Sequence, residues 1–431
     1  MKYFAGERLP FPALRFNASS ASIRDFYPRR GIQKHGPYDA LSLGKDKISC
    51  VLIYPNNLKH LKKIVADGML LGNGSFAGFQ RWFRLPLEIV HERSMPVETK
   101  EELEKILPVL IRDYHPDITI LLTASRNPSL YSTAKVLLLG NGIPSQFITA
   151  EKIGGHNQAQ WVLENIALQM YAKIGGTPWT VAASQKQKSL VIGISRAQDY
   201  QRKTVVGFVT LFTSDGDYQF FSSVSPQPVY WEQQDEYRDA LIKVIVGAYQ
   251  EYSRYNGKPD EIIIHLCKRP GRYREVAAAA KAMQQLGENV PYALIHLNSD
   301  TNYRLFDTGH PTYVPQPGIK VSLSPSRALL FLDGRVQDYK TREEVRKKRG
   351  VPGLLEIVLD NRSTTSTNEF PRLVQQVFEF SRVNWRGFNA QAIPVTLNYA
   401  KLIANLIVEV GTDNWNPIAS NVSLRDKAWF L

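Results

Sequence analysis

Three polar side chains recur at four-residue intervals within the stretch 155–179, which reads GHNQAQWVLENIALQMYAKIGGTPW. They are Asn165, Gln169 and Lys173, and steps of four residues place them on one face of a helix. Two amides and an ammonium give that face many hydrogen-bond donors, a composition suited to an anion, and the glycine pair that follows Ile174 would end the helix. The alternative is an ordinary solvated face of an amphipathic helix. The three residues alone leave both interpretations open.

A second group of polar residues precedes this helix in the chain. Tyr131 and Lys135 lie four residues apart near the start of another predicted helix, where unpaired N–H groups also favour an anion. Gln146 lies on the short strand that follows. In an open parallel sheet, helix starts and the carboxyl ends of strands lie at the same edge, so we expect the site at that edge. Phenol, ammonium and amide donors from three consecutive elements suit a terminal phosphate.

The elements that must position these residues alternate regularly from residue 46 onward. KISCVLIY, LPLEIVHE, DITILLTAS and PSQFITA are predicted strands, and helices separate them in the chain. Thr99 and Glu102 form a capping box for one helix, while Pro108 predicts a kink in it. This alternation indicates a parallel sheet with helices on both faces. Residues 1–35, broken by several prolines and glycines, are predicted to form an extended lead-in segment that packs on a larger body.

The pattern changes near residue 175. Three predicted strands follow with short connections, and Asp215-Gly216 marks a hairpin between the second and the third. A long helix, the nearly all-apolar strand EIIIHLCK, a further helix and strand, and late helices complete the chain. This order is that of a ribonuclease-H-like domain. The sequence therefore predicts an α/β protein of two domains: a Rossmann-like domain over 36–174 and a ribonuclease-H-like domain over 175–431.

The composition favours a polyanionic partner. The 431 residues carry a formal net charge of +13 and a pI near 9.5, and nucleic acid is the obvious polyanion. Cys50 and Cys267 lie far apart without CxxC companions, which predicts neither a disulfide framework nor a zinc site. No stretch reaches the roughly 18 uninterrupted apolar residues of a membrane span, and the N-terminus lacks an apolar signal region. We therefore expect a cytosolic protein without a membrane partner.

Several short blocks resemble one known family. SLYSTAK, IPSQF, NIALQMYAKIGGTPW, NWRGF, IPVTLNYAKL and the terminal WFL resemble the MID and PIWI domains of prokaryotic Argonautes, especially the short archaeal and bacterial forms. The resemblance begins at about residue 36, and the blocks occur in the family's order. It implies a MID domain that holds the 5′-phosphate of a guide strand, followed by a PIWI domain with a ribonuclease-H-like fold.

The resemblance also assigns roles to the polar residues. It implies that Tyr131, Lys135, Gln146 and Lys173 contact the guide 5′-phosphate, and that Asn165 and Gln169 make further polar contacts around the first guide phosphates. Arg386 of NWRGF matches an arginine that holds the guide backbone. In short forms the C-terminal carboxylate, here that of Leu431, enters the pocket with a divalent cation such as Mg²⁺. Gln146 and Leu431 are then the candidate metal ligands, since the cation would let the carboxylate lie beside phosphate oxygens without repulsion.

The positions that would cut a target carry unsuitable side chains. Ribonuclease-H-like nucleases hold two metal ions with clustered carboxylates around the scissile phosphate. Where the slicing members of the family read GxD, this chain reads Gly193-Ile194-Ser195; the next expected aspartate is Cys267, and the late Asp or His is Lys401. A hydroxyl, a thiol and an ammonium cannot replace two carboxylates and a metal ligand. We expect a PIWI domain that is not an enzyme.

The function we expect is guide-dependent recognition without cutting. The chain would bind a 5′-phosphorylated guide, RNA more readily than DNA by analogy with the short forms, and pair it with a complementary strand, single-stranded DNA by the same analogy. Because no PAZ-like module is evident, the resemblance implies a hetero-complex with a PAZ-like or effector protein in prokaryotic immunity. Two alternatives stay open: an active guide-directed endonuclease, and an unguided single-strand-binding protein.

Overall fold

The computed structural model describes the chain except residues 1–3, 5, 41–42, 155–158, 183–186, 215–216, 222–227, 338–343, 346–352 and 426. The Asp215-Gly216 hairpin prediction lies outside the described residues. The N-terminal segment forms short elements: β1 (Gly6–Arg8), β2 (Leu14–Arg15), β3 (Arg24–Asp25) and α1 (Pro28–His35).

The first domain is built on a four-stranded parallel sheet. Its strands and helices alternate along the chain: β4 (Ile48–Pro55), α2 (Lys59–Leu70), α3 (Phe79–Phe83), β5 (Leu87–Met95), α4 (Lys100–Tyr114), β6 (Ile118–Thr123), α5 (Pro128–Gly140), β7 (Ser145–Thr149), α6 (Ala150–Ile153) and α7 (Ala159–Lys173). The strand order is β5-β4-β6-β7, and every pairing is parallel. The predicted parallel α/β unit is confirmed. Thr99 caps α4 as predicted, its hydroxyl accepting from the Glu102 N–H.

Helix α7 is buried on most sides, whereas the sequence suggested an amphipathic surface helix. Leu163, Ala167 and Leu168 are fully buried in a core that reaches into the second domain. The buried Glu164 carboxylate accepts a hydrogen bond from Arg29 Nε of α1 at 2.9 Å. The sequence pattern shows only one apolar face of this helix. It does not indicate that the N-terminal segment and the second domain cover the other faces. Helix α7 therefore contacts both the N-terminal segment and the second domain.

The second domain contains a mixed ten-stranded sheet. After β8 (Thr180–Val181), its elements are β9 (Ser189–Gln198), β10 (Thr204–Ser214), β11 (Asp217–Phe221), β12 (Val229–Tyr230), α8 (Gln234–Asn256), β13 (Glu261–Leu266), α9 (Ala277–Leu286), β14 (Tyr292–Asn298), β15 (Ile319–Ser324), β16 (Arg327–Phe331), β17 (Val336–Gln337), β18 (Glu344–Val345), β19 (Leu355–Leu359), α10 (Phe370–Phe380), α11 (Val395–Val410) and α12 (Trp415–Ala419). The order β1-β15-β16-β19-β14-β13-β9-β10-β11, with β12 beside β10, has the expected antiparallel β9–β10–β11 meander and parallel β9–β13–β14 core.

Two glycines let α11 lie directly against this sheet. A Cβ on Gly193 of β9 would lie 2.3 Å from the carbonyl oxygen of Thr396, and one on Gly207 of β10 would lie 2.1 Å from that of Ala400. No side chain fits at either position without displacing the helix backbone. Gly193 thus fixes α11 over the strand that carries Ser195.

The N-terminal segment differs from the extended lead-in that we predicted. Strand β1 pairs with β15 at one edge of the large sheet, and β2 pairs with both β3 and β8. Residues 28–35 form a helix, with proline at its first turn. The backbone donors and acceptors of the segment are thus used in sheet pairing, which no local pattern could predict because the partners lie far along the chain. Among the described residues, no helix combines the length and apolarity needed to cross a bilayer.

Candidate guide phosphate pocket

Two buried lysines converge on one carbonyl group. Lys135 Nζ in α5 and Lys173 Nζ at the end of α7 donate to the Ser145 carbonyl oxygen, at 3.2 and 2.9 Å. Each residue is only 2% exposed. We call Lys135 and Lys173 the lysine pair. Two ammonium groups held this close, out of water, form a strong potential site for an anion.

Local sequence places the pair. Asn127 caps α5 by accepting from the Leu130 N–H at 3.1 Å, which sets the start of the helix two turns before Lys135. Helix α7 ends at Lys173, as predicted from the glycine pair that follows, and Gly175 adopts a positive φ of 105°.

The lysine pair meets at the amino end of β7, because Ser145 is the first residue of that strand. We expected the site at the carboxyl edge of the sheet, and that expectation is wrong. Helix α7 ends at Lys173 beside Ser145, and the long Lys135 side chain reaches the same carbonyl group from within α5. Helix position therefore predicts side-chain location poorly for a residue as long as lysine.

Gln146 and Tyr131 complete the pocket predicted from the sequence. Gln146 Oε1 accepts from Lys173 Nζ at 2.7 Å, and its Nε2 donates to the Phe147 carbonyl oxygen at 3.3 Å. The Tyr131 ring packs on Phe147, with centroids 4.8 Å apart, and Lys135 Nζ lies 5.4 Å from the Tyr131 centroid. The structure thus brings Tyr131, Lys135, Gln146 and Lys173 together.

Burial and mutual repulsion destabilise the charged forms of the lysine pair. Burial lowers the pKa of Lys135 to about 8. Burial lowers the pKa of Lys173 further below its ordinary value, and the positive charges of Lys135 and Arg386 add to this effect. Burial, then the Glu409 carboxylate, raises the pKa of Tyr131. An anion bound here would reverse these shifts for the lysines, since it stabilises an ammonium.

The amides of the predicted stripe contact the second domain. Gln169 Nε2 donates to the Arg386 carbonyl oxygen at 2.9 Å, and Asn165 Oδ1 accepts from the Phe388 N–H at 3.3 Å. Asn165 Nδ2 donates to the Trp161 carbonyl oxygen within α7. The solvated-face alternative is therefore wrong. The two amides hold the backbone around Arg386, whose exposed side chain carries its charge close enough to lower the pKa of Lys173.

One ion pair at the pocket was missed from the sequence. Arg126 NH2, just before α5, lies 2.9 Å from a Glu409 carboxylate oxygen in α11 of the second domain. Glu409 acts on the pKa of both Tyr131 and Lys135. The only available signal was the position of Arg126 next to a helix start; nothing in the sequence links it to a glutamate 283 residues later.

The final residues pack beside the end of α7. The Ala428 N–H donates to the Ala172 carbonyl oxygen at 3.4 Å, next to Lys173, and Leu431 is buried. In a chain that ends at Leu431, the terminal carboxylate and Gln146 Oε1 would both be hard oxygen donors of the kind that Mg²⁺ or Mn²⁺ prefers. The cation stays a prediction, and in this structure the Gln146 oxygen accepts from Lys173 Nζ.

Ser195, Cys267 and Lys401, which stand where slicing relatives are expected to carry metal ligands, do not form one cluster. Ser195 in β9 and Cys267 just after β13 are neighbours: the Cys267 N–H donates to the Ile194 carbonyl oxygen at 3.4 Å, and the Ser195 hydroxyl lies near enough to the Cys267 thiol to oppose the effect of burial on its pKa. Burial raises the pKa of that thiol, which keeps it protonated. Lys401 is an exposed residue of α11, and within the described part of the chain no hydrogen bond or ion pair links it to the other two.

A mixed α/β fold with a ribonuclease-H-like sheet and a lysine-lined pocket defines a class of nucleic-acid-binding proteins. Residues 117–411 match the Piwi domain family, and the chain belongs to the Piwi/Argonaute family. It is 26% identical over 417 residues to a Piwi protein of Archaeoglobus fulgidus, with 93% of each chain covered. It is 24% identical to a protein argonaute of Cereibacter sphaeroides, of which it spans 56%.

Solved structures agree with this assignment at the level of the fold. Clostridium butyricum Argonaute bound to a guide DNA and a 19-mer target DNA superposes with a TM-score of 0.73 at 18% identity, covering 94% of this chain and 53% of that one. Drosophila Piwi gives 0.75 at 15% identity, covering 99% and 56%. The chain thus has the fold of about half of each larger protein.

Proposed function

We propose that the lysine pair binds the 5′-phosphate of a guide strand. The observation that carries this proposal is the convergence of Lys135 and Lys173 on the Ser145 carbonyl group. Within the described residues, no carboxylate forms an ion pair with either ammonium, and Glu409, which opposes the lowering of the Lys135 pKa, is paired with Arg126. Two buried ammonium groups without an ion-pair partner lower stability, and a terminal phosphate would supply the opposite charge.

The neighbouring residues then have distinct roles. Gln146 and Tyr131 offer amide and phenol donors to the same phosphate. Arg386, exposed beside the pocket, would contact the next guide phosphate; Gln169 holds the Arg386 carbonyl group and Asn165 holds the Phe388 N–H two residues on. Phosphate contacts of this kind fix the guide without reading its bases.

A divalent cation would join this pocket through Gln146 and, in a chain that ends at Leu431, the terminal carboxylate. The ion supplies positive charge between the carboxylate and the phosphate oxygens. A variant with three residues added after Leu431 is expected to bind a 5′-phosphorylated guide more weakly. Its matched control carries three residues added before Met1. Equal affinity of both variants would contradict this role of Leu431.

We further propose that the chain recognises a target without cutting it, as a sensor subunit. Ser195, Cys267 and Lys401 offer no carboxylate to a metal ion, which is what supports this part of the proposal. The alternative is a guide-directed endonuclease that uses other carboxylates. Loaded protein, labelled target and Mg²⁺ or Mn²⁺ distinguish them: a specific cut opposite the guide would overturn the non-cutting proposal.

The second alternative, an unguided single-strand-binding protein, is tested with paired oligonucleotides. Our proposal predicts that 5′-phosphate guides bind at least tenfold more tightly than 5′-hydroxyl guides, and that Lys173→Met removes the preference. Lys152→Met, an exposed lysine in α6, is the matched control and should keep it. Equal affinity for the two oligonucleotides would favour unguided binding.

The nucleic acid and protein that copurify with the chain from cells would identify its guide, its target and its partner. We propose an RNA guide, a DNA target and a hetero-complex with a PAZ-like or effector protein in prokaryotic defence. In the solved Clostridium butyricum complex both strands are DNA. Sequencing the nucleic acid that copurifies with the protein gives the sugar, length and 5′ end of the guide. The phosphate pocket does not read the 2′-hydroxyl, so only the bound strand itself can identify the sugar. Copurified DNA without RNA would overturn the RNA assignment.

A further inference from the structure

Three cationic side chains surround one indole ring in the second domain. Relative to the Trp231 centroid, Lys268 Nζ lies at 3.1 Å, Arg274 Cζ at 4.2 Å and Arg196 Cζ at 5.9 Å. The cations come from three separate elements: strand β9, the segment after β13 and the turn before α9. We call these four residues the Trp231 cluster. Cation–π contacts hold the charged groups in place without neutralising them.

The cluster keeps an excess of positive charge. Its one ion pair in the described part of the chain joins Lys268 Nζ to the buried Glu275 carboxylate at 3.5 Å. Glu275 also accepts from the Tyr237 hydroxyl at 2.9 Å and the Gly271 N–H at 2.6 Å. Burial lowers the pKa of Lys268, Glu275 opposes that shift, and the positive charges of Arg274 and Arg196 add to it. Among the described residues, the three positive groups thus have one ion-paired carboxylate.

Exposure and surroundings leave this charge accessible. Arg196 is exposed, whereas Lys268, Arg274 and Trp231 are half-buried. The exposed Glu232 lies near enough to Arg274 for the guanidinium to contribute to lowering its pKa, but forms no ion pair with it in the described residues. Solvent therefore reaches the cations from the side of Arg196.

The cluster lies beside Cys267, one of the positions where the family resemblance implies that a slicing relative would hold a metal ion. Lys268 directly follows Cys267. Arg196 follows Ser195 in β9, but side chains alternate along a strand, so Arg196 lies on the face opposite Ser195 and α11. Both cations act on the Cys267 thiol, opposing the effect of burial on its pKa. In a nuclease, carboxylates there hold metal ions, and the ions present positive charge to the scissile phosphate. Here Arg196 and Lys268 present positive charge beside Cys267.

We propose that the Trp231 cluster binds one phosphodiester of the target strand without a metal ion. Two guanidinium groups and an ammonium match the non-bridging oxygens of a single phosphate, and guanidinium in particular can donate two parallel hydrogen bonds. The contact reads no base, so it adds affinity for any paired target. This inference rests on the proposed function, because it requires a guide-paired strand to cross the second domain.

A scan with methylphosphonates tests the inference. Each target carries one neutral methylphosphonate at a different linkage, and its affinity for guide-loaded protein is measured in Mg²⁺ and again in EDTA. For the wild type, one linkage is expected to lower affinity about tenfold, the effect of losing a charge-assisted contact. In Arg196→Ala/Arg274→Ala, the unmodified target binds about tenfold more weakly, and the same methylphosphonate has no further effect. Lys243→Ala, an exposed lysine of α8, is the control and should keep the wild-type profile.

The outcomes separate this inference from the proposed function. Guide loading is measured first with the same proteins; failure to prefer a 5′-phosphate there contradicts the proposed function. Normal loading with an unchanged methylphosphonate profile in the double variant overturns the target-phosphate inference alone, as does a wild-type effect that disappears in EDTA. Because Arg274 packs on Trp231, the thermal midpoint of the double variant is compared with that of Arg196→Gln. The single exposed substitution should still reduce the effect of the critical linkage.

Discussion

Replacing Lys135 by methionine should stabilise the protein while abolishing its preference for a 5′-phosphate. Burial lowers the pKa of this ammonium from 10.5 to about 8. At pH 7 the group is charged in both the folded and the unfolded state, so the shift costs about 3 kcal/mol of stability at about 1.4 kcal/mol per pKa unit. Methionine fills similar space and removes that cost. The Ser145 carbonyl group keeps its bond from Lys173.

The lost Lys135–Ser145 hydrogen bond offsets about 1 kcal/mol, so we expect a net gain of about 2 kcal/mol for guide-free protein. The gain has a defined pH dependence. The unfolded chain binds more protons than the folded one between about pH 8 and 10.5, so wild-type stability rises with pH there and the advantage of Lys135→Met shrinks.

Denaturant titration at pH 7 and at pH 9.5 measures the gain, and filter binding with 5′-phosphate and 5′-hydroxyl guides measures the preference. Lys152→Met serves as the control for both. A variant that is less stable than the wild type at pH 7, or that still prefers the phosphate, would refute the account of the lysine pair.

Three further predictions concern proton linkage and packing. The pKa values of the lysine pair are lowered and a bound phosphate would raise them, so guide binding should take up protons. Guide affinity should then fall above pH 8, by up to about tenfold per pH unit for each proton taken up. Calorimetry in two buffers of different ionisation enthalpy measures the proton uptake, and binding without any uptake would contradict the linkage. Gly193→Ala should lower the free energy of unfolding by about 3 kcal/mol, because its Cβ would lie 2.3 Å from the Thr396 backbone. The control Gly247→Ala, in open space within α8, should raise the free energy of unfolding by about 1 kcal/mol. Equal effects of the two variants in denaturant titration would refute the close-packing argument. Arg372→Met should lower the free energy of unfolding by about 3 kcal/mol or more, because buried Glu261 would lose its two hydrogen bonds from the guanidinium, of 2.7 and 2.6 Å. An unchanged free energy of unfolding would show that Glu261 finds another partner.

The sequence predicted elements whose signals are local. The parallel α/β unit and the β9–β10–β11 meander follow from periodicity and turn residues, and both are confirmed. It also grouped Tyr131, Lys135, Gln146 and Lys173, because residue types and spacing carried that information together with the family resemblance.

Features that depend on distant partners were missed. The pairing of β1 with β15 and the Arg126–Glu409 ion pair join residues hundreds of positions apart, and a single sequence contains no trace of either. The Trp231 cluster draws its cations from three elements that only the sheet order brings together. The predicted position of the site at the carboxyl edge of the sheet was also wrong. Helix position alone could not show that the lysine pair meets at Ser145, at the amino end of β7.

The most direct test of the guide-phosphate proposal is a competition between two oligonucleotides that differ only in the 5′ group. Wild-type protein is offered equal amounts of 5′-phosphate and 5′-hydroxyl strands of one sequence, and the bound fraction is quantified beside that of Lys173→Met. The account predicts at least tenfold enrichment of the phosphorylated strand by the wild type and no enrichment by the variant. Equal recovery of both strands by the wild type would contradict it.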